Sequence, residues 1–91
     1  MIKGGYKVID FKGTPFTSGT EASMDGIYAA VSNPYGKATM VSGLVVGDVS
    51  YPDFFAPFSE GSGSFSTSVV IGESTITIVV ESGDGVTVTV A

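Results

Sequence analysis

The chain has 91 residues, a formal net charge of −5 from nine acids against four bases, and no Cys, His, Trp or Arg. Val, Ile and Thr together supply 28 residues, whereas Leu appears once, at Leu44; β-branched side chains suit a pleated surface and lose rotamer freedom in helices, so a helix bundle is disfavoured. The missing residue types exclude disulfides, thiolate nucleophiles, Cys-based zinc or iron–sulfur centres, Ser-His-Asp triads and imidazole metal ligands.

The length fits one small β-rich domain, residues 1–91, whose core must come from apolar burial alone. Residues 1–12 hold Lys3, Lys7 and Lys12 against Asp10, while residues 13–91 hold Lys37 against eight acids. There is no basic stripe and no Arg to fork onto phosphate, so no nucleic-acid partner is expected. The three N-terminal lysines read as a solvated strand face that protects an edge. A docking strip for an acidic partner, such as another copy of this chain, is the alternative. No apolar stretch has the length of a signal peptide or approaches the roughly 20 residues of a membrane helix. The expectation is a soluble chain, cytoplasmic at synthesis, with no membrane partner.

The first element spans residues 6–12. Tyr6 and Val8 point one way, Ile9 and Phe11 the other, so both faces carry apolar groups. Gly13, Thr14 and Pro15 end it, and residues 16–24 read as loop or weak strand. Residues 25–33 favour a short helix: Asp25 can cap it, Ile27 and Val31 share a face, and Asn33-Pro34 stops it. A strand over 27–31 is the competing reading.

Residues 37–58 read as a long hairpin about a two-residue II′ turn at Gly47-Asp48. That turn pairs Val46 with Val49, Val45 with Ser50 and Leu44 with Tyr51. Further out it opposes Val41 to Phe54 and Met40 to Phe55. Pro52 cannot donate to a ladder, so a bulge, bend or edge is expected there.

The C-terminal third is a three-stranded meander. A turn at Gly72-Glu73 pairs Val69 with Ile76, Thr67 with Ile78 and Phe65 with Val80. A loop at residues 81–85 then places Val80 opposite Val86, Ile78 opposite Val88 and Ile76 opposite Val90. Two independent turns thus build one apolar face, which a one-residue slip would turn outward. The other face carries Ser66, Ser68, Thr75, Thr77, Thr87 and Thr89, without charge. Such hydroxyl faces follow from β propensity; sugar or ice-like surfaces are the sharper alternative.

Candidate chemistry is sparse. Asp53 and Glu60 flank Phe54, Phe55 and Phe58, and a carboxylate pair about 5–10 Å apart could hydrolyse glycosides. The plainer reading sets Asp53 in a turn and Glu60 at the start of a loop. Residues 81–85 hold two acids and two glycines, but the alternating acids of an EF-hand are missing; a hairpin loop with Gly at positive φ suffices. The Gly-rich run at 60–64 lacks the signatures of a phosphate loop. No catalytic, cofactor-binding or metal-binding residue is therefore expected, and no cofactor. Residues 51–58 hold Tyr51, Phe54, Phe55 and Phe58, four of the ten aromatics. They divide between core and a candidate interaction surface, since adjacent Phe54 and Phe55 point to opposite faces of a strand.

Three segments carry a family likeness: Gly4-Gly5-Tyr6-Lys7-Val8-Ile9-Asp10-Phe11-Lys12, Gly26-Ile27-Tyr28, and Val41-Ser42-Gly43-Leu44-Val45-Val46-Gly47-Asp48-Val49-Ser50-Tyr51. Over residues 1–58 the chain resembles small phage- and prophage-encoded proteins associated with virion or tail gene cassettes. The resemblance implies a structural or accessory role in a phage particle. It supplies no catalytic residues. The expected fold is mainly β, a single small domain of antiparallel hairpins and meander, forming a sandwich or partly open barrel with one short helix near residues 25–33. The expected function is that of a non-enzymatic structural or interaction protein whose partner is itself, as a homo-oligomer, or other phage structural proteins. The alternative is a small glycan- or peptide-binding module using residues 51–58.

Overall fold

A computed structural model describes residues 2–3, 6–32 and 39–91. The side chains of Lys3, Lys7 and Lys37, and the Asn33-Pro34 stop, lie outside that description. Among the described residues the chain is mainly β, with one short helix and three sheets, none closed into a barrel.

The meander forms in the register that its two turns dictate. Strands β10 (Ser64–Ile71), β11 (Ser74–Glu81) and β12 (Gly85–Val90) pair antiparallel. Val69 faces Ile76, Thr67 faces Ile78 and Phe65 faces Val80. Val80 in turn faces Val86, and Ile78 faces Val88. Gly72 has φ +62°, the conformation that a II′ turn requires at its first central position. Two short strands extend the sheet, β4 (Glu21–Ser23) beside β12 and β9 (Ser59–Glu60) beside β10, giving the order β4-β12-β11-β10-β9. Residues 16–24, read as loop or weak strand, thus contribute β4.

The 37–58 hairpin keeps its register but divides between two sheets. Val46 pairs with Val49 and Val45 with Ser50, joining β6 (Val45–Val46) to β7 (Val49–Ser50). Val41 pairs with Phe54 and Met40 with Phe55, joining β5 (Thr39–Ser42) to β8 (Phe54–Phe55). Between them the ladder breaks around Gly43 and Pro52. β5 lies in a four-stranded sheet with β1 (Ile2–Lys3) and β2 (Tyr6–Asp10). β6 and β7 form a small sheet with β3 (Pro15–Phe16).

Two pairings depart from an all-antiparallel expectation: β2 with β5 and β3 with β6 are parallel. A parallel pair needs a long crossover. Between β2 and β5 the chain makes β3, β4 and helix α1 (Ile27–Ser32). Gly43 makes the shared bend workable. Its φ is +69°, and a Cβ there would stand 2.9 Å from Lys12 N and 3.1 Å from Gly13 N. The turn after β2 therefore rests directly on the bend after β5, with Phe11 N donating to Ser42 O and Gly13 N to Gly43 O, each at 2.8 Å.

One core joins the two halves. Ile76, Ile78, Val80, Val86 and Val88 of the meander pack with Phe11, Val31, Val41, Leu44 and Phe54. Each such side chain contributes about 1.5–3 kcal/mol when fully buried. Phe11 and Phe16 meet edge to face, with centroids 5.6 Å apart. Val8, Ile9 and Phe11 are all buried, so β2 is covered on both faces as its sequence suggests.

Candidate functional site

Helix α1 buries Ile27 and Val31, one turn apart, against the core. Its N-terminus is capped from elsewhere in the chain. Gly26 N donates to Asp84 Oδ2 at 3.2 Å and Tyr28 N to Asp84 Oδ1 at 3.0 Å. Met24 N also donates to the Asp84 carbonyl, at 3.0 Å. The cap expected of Asp25 is thus supplied by Asp84, because β4 pairs with β12 and sets the 82–84 turn beside the helix. Asp84, not a glycine, takes the positive φ of that loop, at 64°. Asp tolerates this conformation, and its carboxylate is occupied by the helix N–H groups.

The aromatic segment is split by the pleat. Phe54 is buried at 9% exposure, while its neighbour Phe55 is 51% exposed. Tyr51 and Phe58 are partly buried and pack on the core. Four rings close together in sequence therefore leave Phe55 as the one that is mainly exposed. Asp53 and Glu60 are both exposed.

A depression of about 380 Å³ lies between the end of β2 and the start of α1. Buried Val8, Ile9 and Ile27 line it, with exposed Asp10, Lys12 and Asp25. Asp10 Oδ1 accepts the Lys12 N–H at 2.7 Å, so that carboxylate serves the turn in which Lys12 holds φ 56°. Neither Asp53, Glu60 nor any ring of the 51–58 segment lines the depression. Sequence reasoning missed it, because its walls come from two separate stretches of chain, residues 8–14 and 23–30. Among the described residues no three His, Cys, Asp or Glu side chains converge as a metal site, and no helix is long and apolar enough to cross a membrane.

The outer face of the five-stranded sheet is rich in hydroxyl side chains, with exposed Glu21 and Glu81 at its margins. Ser66, Thr75, Thr77 and Thr87 are half-buried there, and Ser68 and Thr89 are exposed. Thr77 pairs directly with Thr89 and Ser68 with Thr77, giving a hydroxyl row across three strands. Val70, beside this row, is 69% exposed. Comparison with family models, with curated proteins and with solved structures finds no match.

Proposed function

We propose that the chain is a non-enzymatic structural or interaction protein, an accessory component of a phage or prophage virion or tail, working through contact with itself or with other phage structural proteins. The observation that carries this reading is the hydroxyl-rich outer face of the five-stranded sheet, with Val70 exposed on it and Glu21 and Glu81 at its margins. Small-molecule sites are usually concave clefts that enclose most of the ligand, whereas broad flat surfaces suit protein contact. The resemblance over residues 1–58 supplies the phage setting. The glycan- or peptide-binding alternative is weakened by the inward turn of Phe54 and the core packing of Tyr51 and Phe58, which leave no multi-ring platform.

Mass spectrometry of gradient-purified particles from a host carrying the gene tests the reading. The chain is expected to copurify with particles at a fixed ratio to the other virion proteins. Its restriction to the soluble lysate would contradict the proposal.

A further inference from the structure

The depression between the end of β2 and the start of α1 has a charged rim over an apolar floor. Asp10, Lys12 and Thr14 stand on the β2 side and Asp25 on the α1 side. Buried Val8, Ile9 and Ile27 form the floor, with half-buried Met24 and Ala30. Its volume of about 380 Å³ falls at the small end of the range of ligand pockets, about 300–1,000 Å³. An apolar floor under a few convergent polar groups is the usual composition of a small-molecule site.

The charged groups at the rim do not neutralise one another. Asp10 Oδ1 accepts the Lys12 main-chain N–H at 2.7 Å. Among the described residues, Asp25, Asp10 Oδ2 and the Lys12 ammonium take part in no hydrogen bond or ion pair. Charges of both signs thus border one hollow without pairing across it.

Lys12 also sits where turn chemistry does not call for lysine. Thr14 N donates to Phe11 O at 2.9 Å, and the central residues Lys12 and Gly13 have φ 56° and 70°. That is a type I′ turn, whose first central position favours Asn, Asp or Gly. Lysine adopts a left-handed backbone there that Asn would hold more easily. The bond from its N–H to Asp10 steadies it. A residue that breaks a local rule is where a functional role is to be sought, and this one stands at the mouth of the depression.

We propose that this depression binds a small aliphatic α-amino acid as its zwitterion. The ligand's carboxylate meets the Lys12 ammonium, with the Thr14 hydroxyl beside it. Its ammonium meets Asp25 and the outer oxygen of Asp10. Its aliphatic side chain lies over Met24 and Ala30 on the apolar floor. One ligand of both signs then pairs all three unpartnered groups by charge-assisted hydrogen bonds. A free amino acid carries ammonium and carboxylate on one carbon, whereas an internal peptide residue carries neither, so the pattern selects the free molecule. This site is independent of the protein-contact reading, and either can fail alone.

Backbone amide NMR shifts of the full chain during titration with L-leucine test the site. Saturable shifts confined to residues 8–14 and 23–30 are expected, with a dissociation constant on the order of 1 mM, as suits so small a ligand in an open site. N-acetyl-leucine lacks the ammonium, leucine amide lacks the carboxylate and glycine lacks the aliphatic body. Each should bind about fivefold or more weakly than leucine. Asp25→Ser should weaken leucine about fivefold with an unchanged thermal melt, since Asp25 makes no bond among the described residues. Lys12→Asn should weaken leucine to a similar degree while the melt holds or rises, because Asn suits the turn; a lysine serving only the turn would not separate the two readouts. The site is overturned by the absence of saturable shifts up to roughly 50 times that concentration, by N-acetyl-leucine or leucine amide binding as well as leucine, or by unchanged affinity in either variant.

Discussion

Thr67 places a hydroxyl where the rest of its row is aliphatic. It is 5% exposed, lies beside Ile78, and its Oγ1 has no hydrogen-bond partner. A buried donor left unpaired costs about 1–3 kcal/mol. Thr67→Val removes that cost at nearly constant shape, so urea unfolding is expected to show a gain of about 1 kcal/mol; a loss would show that the hydroxyl is satisfied. Asp84 works in the opposite sense. Its carboxylate accepts two N–H groups at the start of α1 while its backbone holds φ 64°. Asp84→Ala removes a cap and places Ala in a left-handed conformation, and should cost about 2 kcal/mol in the same measurement. Asp84→Asn keeps the backbone preference and one acceptor, so its loss should be smaller. Equal losses would contradict the capping role given to Asp84. Sequence points to Asp25 because caps are sought next to the helix; Asp84 lies 58 residues from Gly26 and becomes a cap only once β4 has paired with β12.

At the scale of elements, glycines at two strand junctions are expected to respond differently to the same change. Gly43→Ala drives a Cβ to 2.9 Å from a backbone nitrogen at φ +69°, and should cost about 2 kcal/mol or more. At Gly85 a Cβ also meets a neighbour closely, 2.6 Å from Glu21 Oε2, but that is the end of an exposed and flexible side chain. Gly85→Ala should therefore be nearly neutral in thermal melts, and equal losses at the two sites would contradict the role given to Gly43. The meander was legible in the sequence because its determinants are local. Gly72-Glu73 and the loop after Val80 fix the register, and Val69, Ile76 and Val90 then fall on one face. The Gly47-Asp48 turn likewise set Val46 against Val49 and Val41 against Phe54. The parallel pairs of β2 with β5 and β3 with β6 were not legible, because no turn connects those strands and period-two patterning does not say which strand lies alongside. The splitting of Tyr51, Phe54, Phe55 and Phe58 was legible only at the adjacent pair, where the pleat itself separates the rings.

At the scale of the whole molecule, a chain of this size has one core to hold it, and both halves contribute to that core. What is left over is a hydroxyl-rich sheet face on an acidic body. Those two properties oppose each other. Contact between copies through that face adds buried surface, while the −5 charge of each copy resists approach. Salt screens the second and leaves the first, since the Debye length shrinks from about 30 Å at 0.01 M to about 8 Å at 0.15 M. Association should therefore strengthen as salt rises across that range, the reverse of an interface made by opposite charges such as the N-terminal lysines on an acidic surface. Sedimentation equilibrium of the wild-type chain at both salt concentrations is the most direct measurement. The account expects a reversible dimer of twice 9.3 kDa whose dissociation constant falls with added salt; a 9.3 kDa monomer throughout, or a dimer that salt dissolves, would contradict it.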